Sequence, residues 1–78
     1  MTRLSNSINL KKKIIKLNGS IYEYKYAMSI LQLLTYLGFN TKVIVVDYNG
    51  DILQKENWTS TKIRTNDSLE ILTIAGGG

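Results

Sequence analysis

Two Asn-Gly pairs divide this chain into β-prone runs. At Asn18-Gly19, IIKLN leads into IYEYK; at Asn49-Gly50, VIVVDY leads into DIL. A two-residue Asn-Gly connection supplies the consecutive positive φ angles of a tight turn whose twist matches that of the flanking strands. Each pair therefore predicts a hairpin. Between them lies MSILQLLTYLGFN, in which Ile30, Leu33, Leu34 and Leu37 recur at the i, i+3, i+4, i+7 spacing of one helical face. Ser29 and Gln32 have the spacing of a capping box, and Gly38 follows the last apolar position, where a left-handed cap is needed. The spacing predicts a helix of about three turns.

The remaining segments complete a strand, strand, helix, strand, short strand, irregular turn, strand order. SLEILTI alternates, with Leu69, Ile71 and Thr73 directed one way and Glu70, Leu72 and Ile74 the other. Asn66-Asp67-Ser68 before it is turn chemistry. QKENWTSTKIRT follows neither period, and Trp58 is expected to plug the core edge from an irregular turn. One helix against a small mixed sheet, with hairpins on both sides of it, gives an α+β class. At 78 residues the chain has room for one modest core.

Composition removes most chemistry. Without cysteine there is no disulfide, thiolate nucleophile or Cys-ligated metal; without histidine, the commonest metal ligand and neutral-pH proton shuttle are missing. No glycine-rich loop precedes a helix, so no phosphate cradle is visible. The acids Glu23, Asp47, Asp51, Glu56, Asp67 and Glu70 are scattered, and read as solvated surface charge. An enzyme acting alone is not expected.

The net charge of +4 raises the possibility of nucleic-acid binding, but Arg3, Lys11, Lys12 and Lys13 account for it. From Ile14 onward six basic residues balance six acids. Residues 1–13 read as a flexible basic extension or a charge-driven contact, lacking the apolar stretch of a secretory signal. No run approaches the roughly 20 apolar residues that span a bilayer. Neither a nucleic acid nor a membrane is an expected partner.

The sequence closes on LTIAGGG. Three glycines add nothing evident to a fold, and from the tail alone a frayed end or a cloning scar explains them as well as a function does. The functional alternative is the α-carboxylate of Gly78. With a pKa near about 3.5 it is ionised at neutral pH and resists nucleophiles until a better leaving group is attached, as adenylation would provide. Glycines leave the carbonyl uncrowded and let residues 75–78 thread a narrow active site. Ordering such a thread costs roughly 1–2 kcal/mol per residue, which docking of the body at 14–74 must offset.

Read together, LNG (17–19), SILQLL (29–34), LGF (37–39), YNGDIL (48–53), ENW (56–58), ND (66–67) and EILTIAGGG (70–78) make Ile14 to Gly78 resemble the ThiS family of sulfur carriers in thiamine biosynthesis. The resemblance implies a β-grasp, ubiquitin-like fold. It also implies a carrier whose terminal glycine is adenylated by an E1-like, ThiF-type enzyme that consumes ATP, with no cofactor held permanently. Sulfur originating from cysteine, through a cysteine desulfurase or related protein, then makes a thiocarboxylate for a ThiG-type thiazole synthase. Gly77 and Gly78 take the place of the family's diglycine, and Gly76 matches the glycine before it. Asn66, where glycine is usual, and Lys62, where an apolar residue is usual, depart from the pattern without touching the tail.

The small subunit of molybdopterin synthase and a ubiquitin-like modifier are the alternatives; the ENW segment and short connections favour the thiamine carrier. Strand parity adds an expected docking patch for its partners. If Leu69 and Ile71 face the helix, Leu72 and Ile74 lie on the opposite face, joined there by Val45. A carrier of this kind belongs in a plastid stroma or a bacterial cytoplasm.

Overall fold

The computed structural model describes residues 12–74. Strands β1 (Ile14–Leu17) and β2 (Ser20–Glu23) form the first hairpin, and β3 (Ile44–Tyr48) and β4 (Asp51–Leu53) the second. At the turns, Asn18 and Gly19 have φ of 50° and 84°, and Asn49 and Gly50 have φ of 53° and 97°. Paired positive φ values are what the two Asn-Gly sequences predict, because asparagine tolerates this region and glycine has no Cβ to oppose it.

Helix α1 (Ile30–Tyr36) is shorter than the three turns predicted from the apolar spacing. The capping box forms as expected: the Ser29 amide donates to Gln32 Oε1 at 2.9 Å and the Gln32 amide to Ser29 Oγ at 3.1 Å. Leu37 is already the C-cap. Gly38, at φ 84°, donates to the Thr35 carbonyl, and the Phe39 amide reaches back to Leu34. These paired bonds constitute a Schellman closure. The apolar period runs one position past the helix because Leu37 still packs against the core from within the cap.

A seven-residue helix has little stability alone. Here its first donors are satisfied from outside: Ile30 N–H bonds to the Thr61 carbonyl at 2.8 Å and Leu31 N–H to the Trp58 carbonyl at 3.1 Å. The segment between β4 and the last strand thus anchors the helix start. It contains a 3₁₀ turn (Lys55–Asn57), and the Trp58 indole N–H donates to the Leu53 carbonyl at 3.0 Å with the ring buried. Trp58 fills the core edge, as its place in an irregular stretch suggests.

β5 (Ser68–Thr73) lies in the middle of the sheet, whose order is β2-β1-β5-β3-β4. It runs parallel to β1 and antiparallel to β3. Ile15, Ile44, Val46, Leu69 and Ile71 meet Ile30, Leu33 and Leu34 of the helix on one face, and Ile63 closes the core with Trp58. Thr73 shares the parity of Leu69 but is exposed at the strand's end. Among the described residues, five mixed strands with one helix across a single face form a β-grasp, as the sequence resemblance implies.

Candidate functional site

Among the described residues the one helix lies on one face of the sheet, and no element covers the other. On β5 burial alternates from Leu69 to Leu72: Leu69 and Ile71 are buried, whereas Glu70 is exposed and Leu72 is 53% exposed. Val45 on β3 stands directly opposite Leu72 and is half-buried. Ile74, 47% exposed, donates its amide to the Val43 carbonyl at 2.7 Å, so the β3–β5 pairing continues to the last described residue. The structure therefore brings Val45, Leu72 and Ile74 together at one end of the open face. Beside them runs a more polar row, in which Asp47 is in register with Glu70 on one side and exposed Ile52 on the other. Ile52 was not singled out in the sequence, although its place after the second turn sets its parity. Gly76, Gly77 and Gly78 lie outside the described residues.

What fixes β5 is a hydrogen-bond network at its start. Asp67 is buried, contrary to the expectation that every acid is solvated surface charge. Its carboxylate accepts from Tyr48 Oη at 2.8 Å, Asn49 Nδ2 at 3.1 Å and the Arg64 amide at 2.7 Å. A buried carboxylate is tolerated when donors converge on it in this way. Asn49 Oδ1 in turn accepts from the Ser68 amide at 2.7 Å, and Asn18 Oδ1 from the Ile71 amide at 2.6 Å. Each Asn-Gly turn thus spends its asparagine side chain on β5 as well as its backbone on a hairpin. Asn66, at φ 76°, occupies the Arg64–Asp67 turn where a positive φ is required. Partial burial, followed by the hydrogen bond to Asp67, raises the Tyr48 phenol above its ordinary pKa of 10.0.

The exposed end of β5 offers apolar contact. Among the described residues, no three acidic side chains converge as a metal site, and no helix is long and apolar enough to cross a membrane.

Comparison with known proteins gives a consistent picture. The model of the ThiS family matches residues 15–78. The chain is 37% identical to the ycf40 protein of Trieres chinensis over 78 residues, covering all of both chains. It is 29% identical over 66 residues to the sulfur carrier protein ThiS of Bacillus subtilis, covering 83% of this chain and 100% of that one. A thiazole synthase of Paramagnetospirillum magneticum is 29% identical over 62 residues, 80% of this chain but 19% of that protein. The crystal structure of the thiamine biosynthesis protein ThiS from Geobacter metallireducens superposes with a TM-score of 0.73 at 25% identity, covering 83% of this chain and 99% of that one.

Proposed function

Because the chain belongs to the ThiS family, the sulfur carriers of thiamine biosynthesis, we propose that it carries sulfur as a thiocarboxylate on Gly78. The observation that carries this reading is that the family match runs through Gly78 itself. With neither cysteine nor histidine in the chain, the backbone carboxylate is the group left to hold sulfur. An E1-like enzyme joins it to AMP from ATP with release of pyrophosphate; a persulfide then displaces AMP to form an acyl disulfide, and a thiol cleaves its S–S bond, becoming a disulfide itself, to leave the thiocarboxylate. The sulfur comes from cysteine by way of a desulfurase or related protein. The chain supplies no catalytic group and binds no cofactor of its own; it is handed between enzymes.

Thiazole synthase is the acceptor in this reading. Support comes from the thiazole synthase of Paramagnetospirillum magneticum, which is similar to this chain over a fifth or so of its own length. Val45, Leu72 and Ile74 are the docking patch, and Gly76 and Gly77 thread the carboxylate into each enzyme. Exposed apolar side chains beside the tail suit this, since docking the rigid body must outweigh the cost of ordering the glycines. The likeness to ycf40, whose homologues come from plastid genomes, supports a plastid stroma as the working compartment.

The test is ATP–pyrophosphate exchange with the E1-like partner, comparing the full chain with one whose Gly78 is capped as an amide. The amidated protein should fold normally by circular dichroism and support no exchange. Undiminished exchange would refute the assignment of Gly78.

A further inference from the structure

A second surface, on the helix side of the sheet, is not used by the carrier chemistry. Tyr22 pairs with buried Ile15 and so points toward the helix side, away from Leu72 and Ile74. Where β2 runs out, Tyr22, Tyr24 and Tyr26 combine with Met28 and with Tyr36 of α1 to wall a groove of about 460 Å³ at the outer edge of the sheet. Tyr26 and Tyr36 are 74% and 75% exposed, more than any other large apolar side chain among the described residues. Two phenol rings left so open, in one concavity, exceed the scattered apolar exposure normal for a small domain. Tyrosine is also the residue that buries much area at low entropy cost and still satisfies its hydroxyl, which is why interfaces use it.

The charge around the groove identifies what it would accept. Lys25 lines it, and Lys13 Nζ lies 3.5 Å from the Lys25 carbonyl, on the same rim. The two segments are held together because the Tyr24 amide donates to the Lys13 carbonyl at 2.9 Å. Lys13 and Lys25 are both exposed and put two positive charges at this rim. Glu23 is the acid on the wall.

We propose that this groove is a second docking surface, for an acidic segment of a protein partner that seats an aromatic or aliphatic side chain among the tyrosines while its carboxylates face Lys13 and Lys25. The largely apolar lining favours a peptide side chain over a phosphate track; a single-stranded nucleic acid would need basic residues spaced along the path. Because the groove and the Leu72–Ile74 patch face opposite sides of the sheet, such a partner can hold the carrier while the tail is engaged elsewhere. The inference does not depend on the chemistry at Gly78.

The experiment is an amide NMR titration of the full chain with a synthetic peptide in which aspartates flank a phenylalanine and a leucine. Shifts should map to Tyr22–Met28 and Tyr36, and binding should weaken as salt is raised. The exposed-ring variant Tyr26→Ser with Tyr36→Ser, and separately Lys13→Glu with Lys25→Glu, should each lower affinity about tenfold with unchanged circular dichroism. Shifts confined to Val45, Leu72 and Ile74 would overturn the proposal, as would wild-type affinity in both variants. Tighter binding by a single-stranded oligonucleotide in the same groove would overturn the choice of a protein partner.

Discussion

Asp67 sits where a side-chain hydroxyl, a side-chain amide and a backbone amide converge, and it fixes the start of the strand that leads to the tail. Replacing it with asparagine keeps the shape but turns a donor group toward donors. Asp67→Asn should therefore cost about 2–3 kcal/mol, measured as a lower urea midpoint at unchanged m-value. Tyr48 answers to pH from the other end of the same bond. Its phenol holds the proton more tightly in the fold than the unfolded value near pH 10, so this contribution is whole below about pH 10 and disappears as pH rises through the higher folded value. Urea midpoints followed through the alkaline range should fall more steeply for the wild type than for Tyr48→Phe, which has no proton there to lose; parallel curves would count against the coupling. None of this network was legible in the sequence. Asp67 looks like any turn acid, and its burial depends on Tyr48 and Asn49, 19 and 18 positions away. The positive φ angles were legible, because asparagine and glycine announce them locally.

Among the elements, both hairpins and the capping box could be read because each rests on contacts within three or four residues. The helix length could not. Apolar periodicity marks which residues face the core, and Leu37 faces it from the cap as well as it would from another turn. The segment from Gln54 to Arg64 has no period, since its order comes from meeting the first amides of α1 and from the buried Trp58 ring. Strand β5 is the element on which the proposed docking turns, and its alternation gives a prediction with two readouts. Ile74→Asp should weaken binding to both the E1-like enzyme and thiazole synthase by about 1–3 kcal/mol, the range for an interface anchor, while leaving the urea midpoint close to wild type. Wild-type affinity in titrations against both partners would remove Ile74 from the docking patch.

At the scale of the whole molecule, the one short helix on five strands among the described residues leaves the second face of the sheet open to contact. Which apolar residues of β5 and β3 lie on that face is set by parity rather than chosen one by one. That much follows from the sequence: Leu72, Ile74 and Val45 fall on the uncovered side once Leu69 is placed inward. The tyrosine groove does not follow, because it joins β2 to the end of α1 across a distance that no local pattern encodes. The central claim, that the folded body exists to present Gly78 for sulfur loading, is most directly tested by the intact mass of the full chain after incubation with the E1-like enzyme, ATP and a sulfur source. The account predicts a gain equal to the exchange of one oxygen for sulfur, located on Gly78 by fragmentation and absent when Gly78 is amidated. An unchanged mass under conditions that load the Bacillus subtilis carrier, or sulfur located on any other residue, would contradict it.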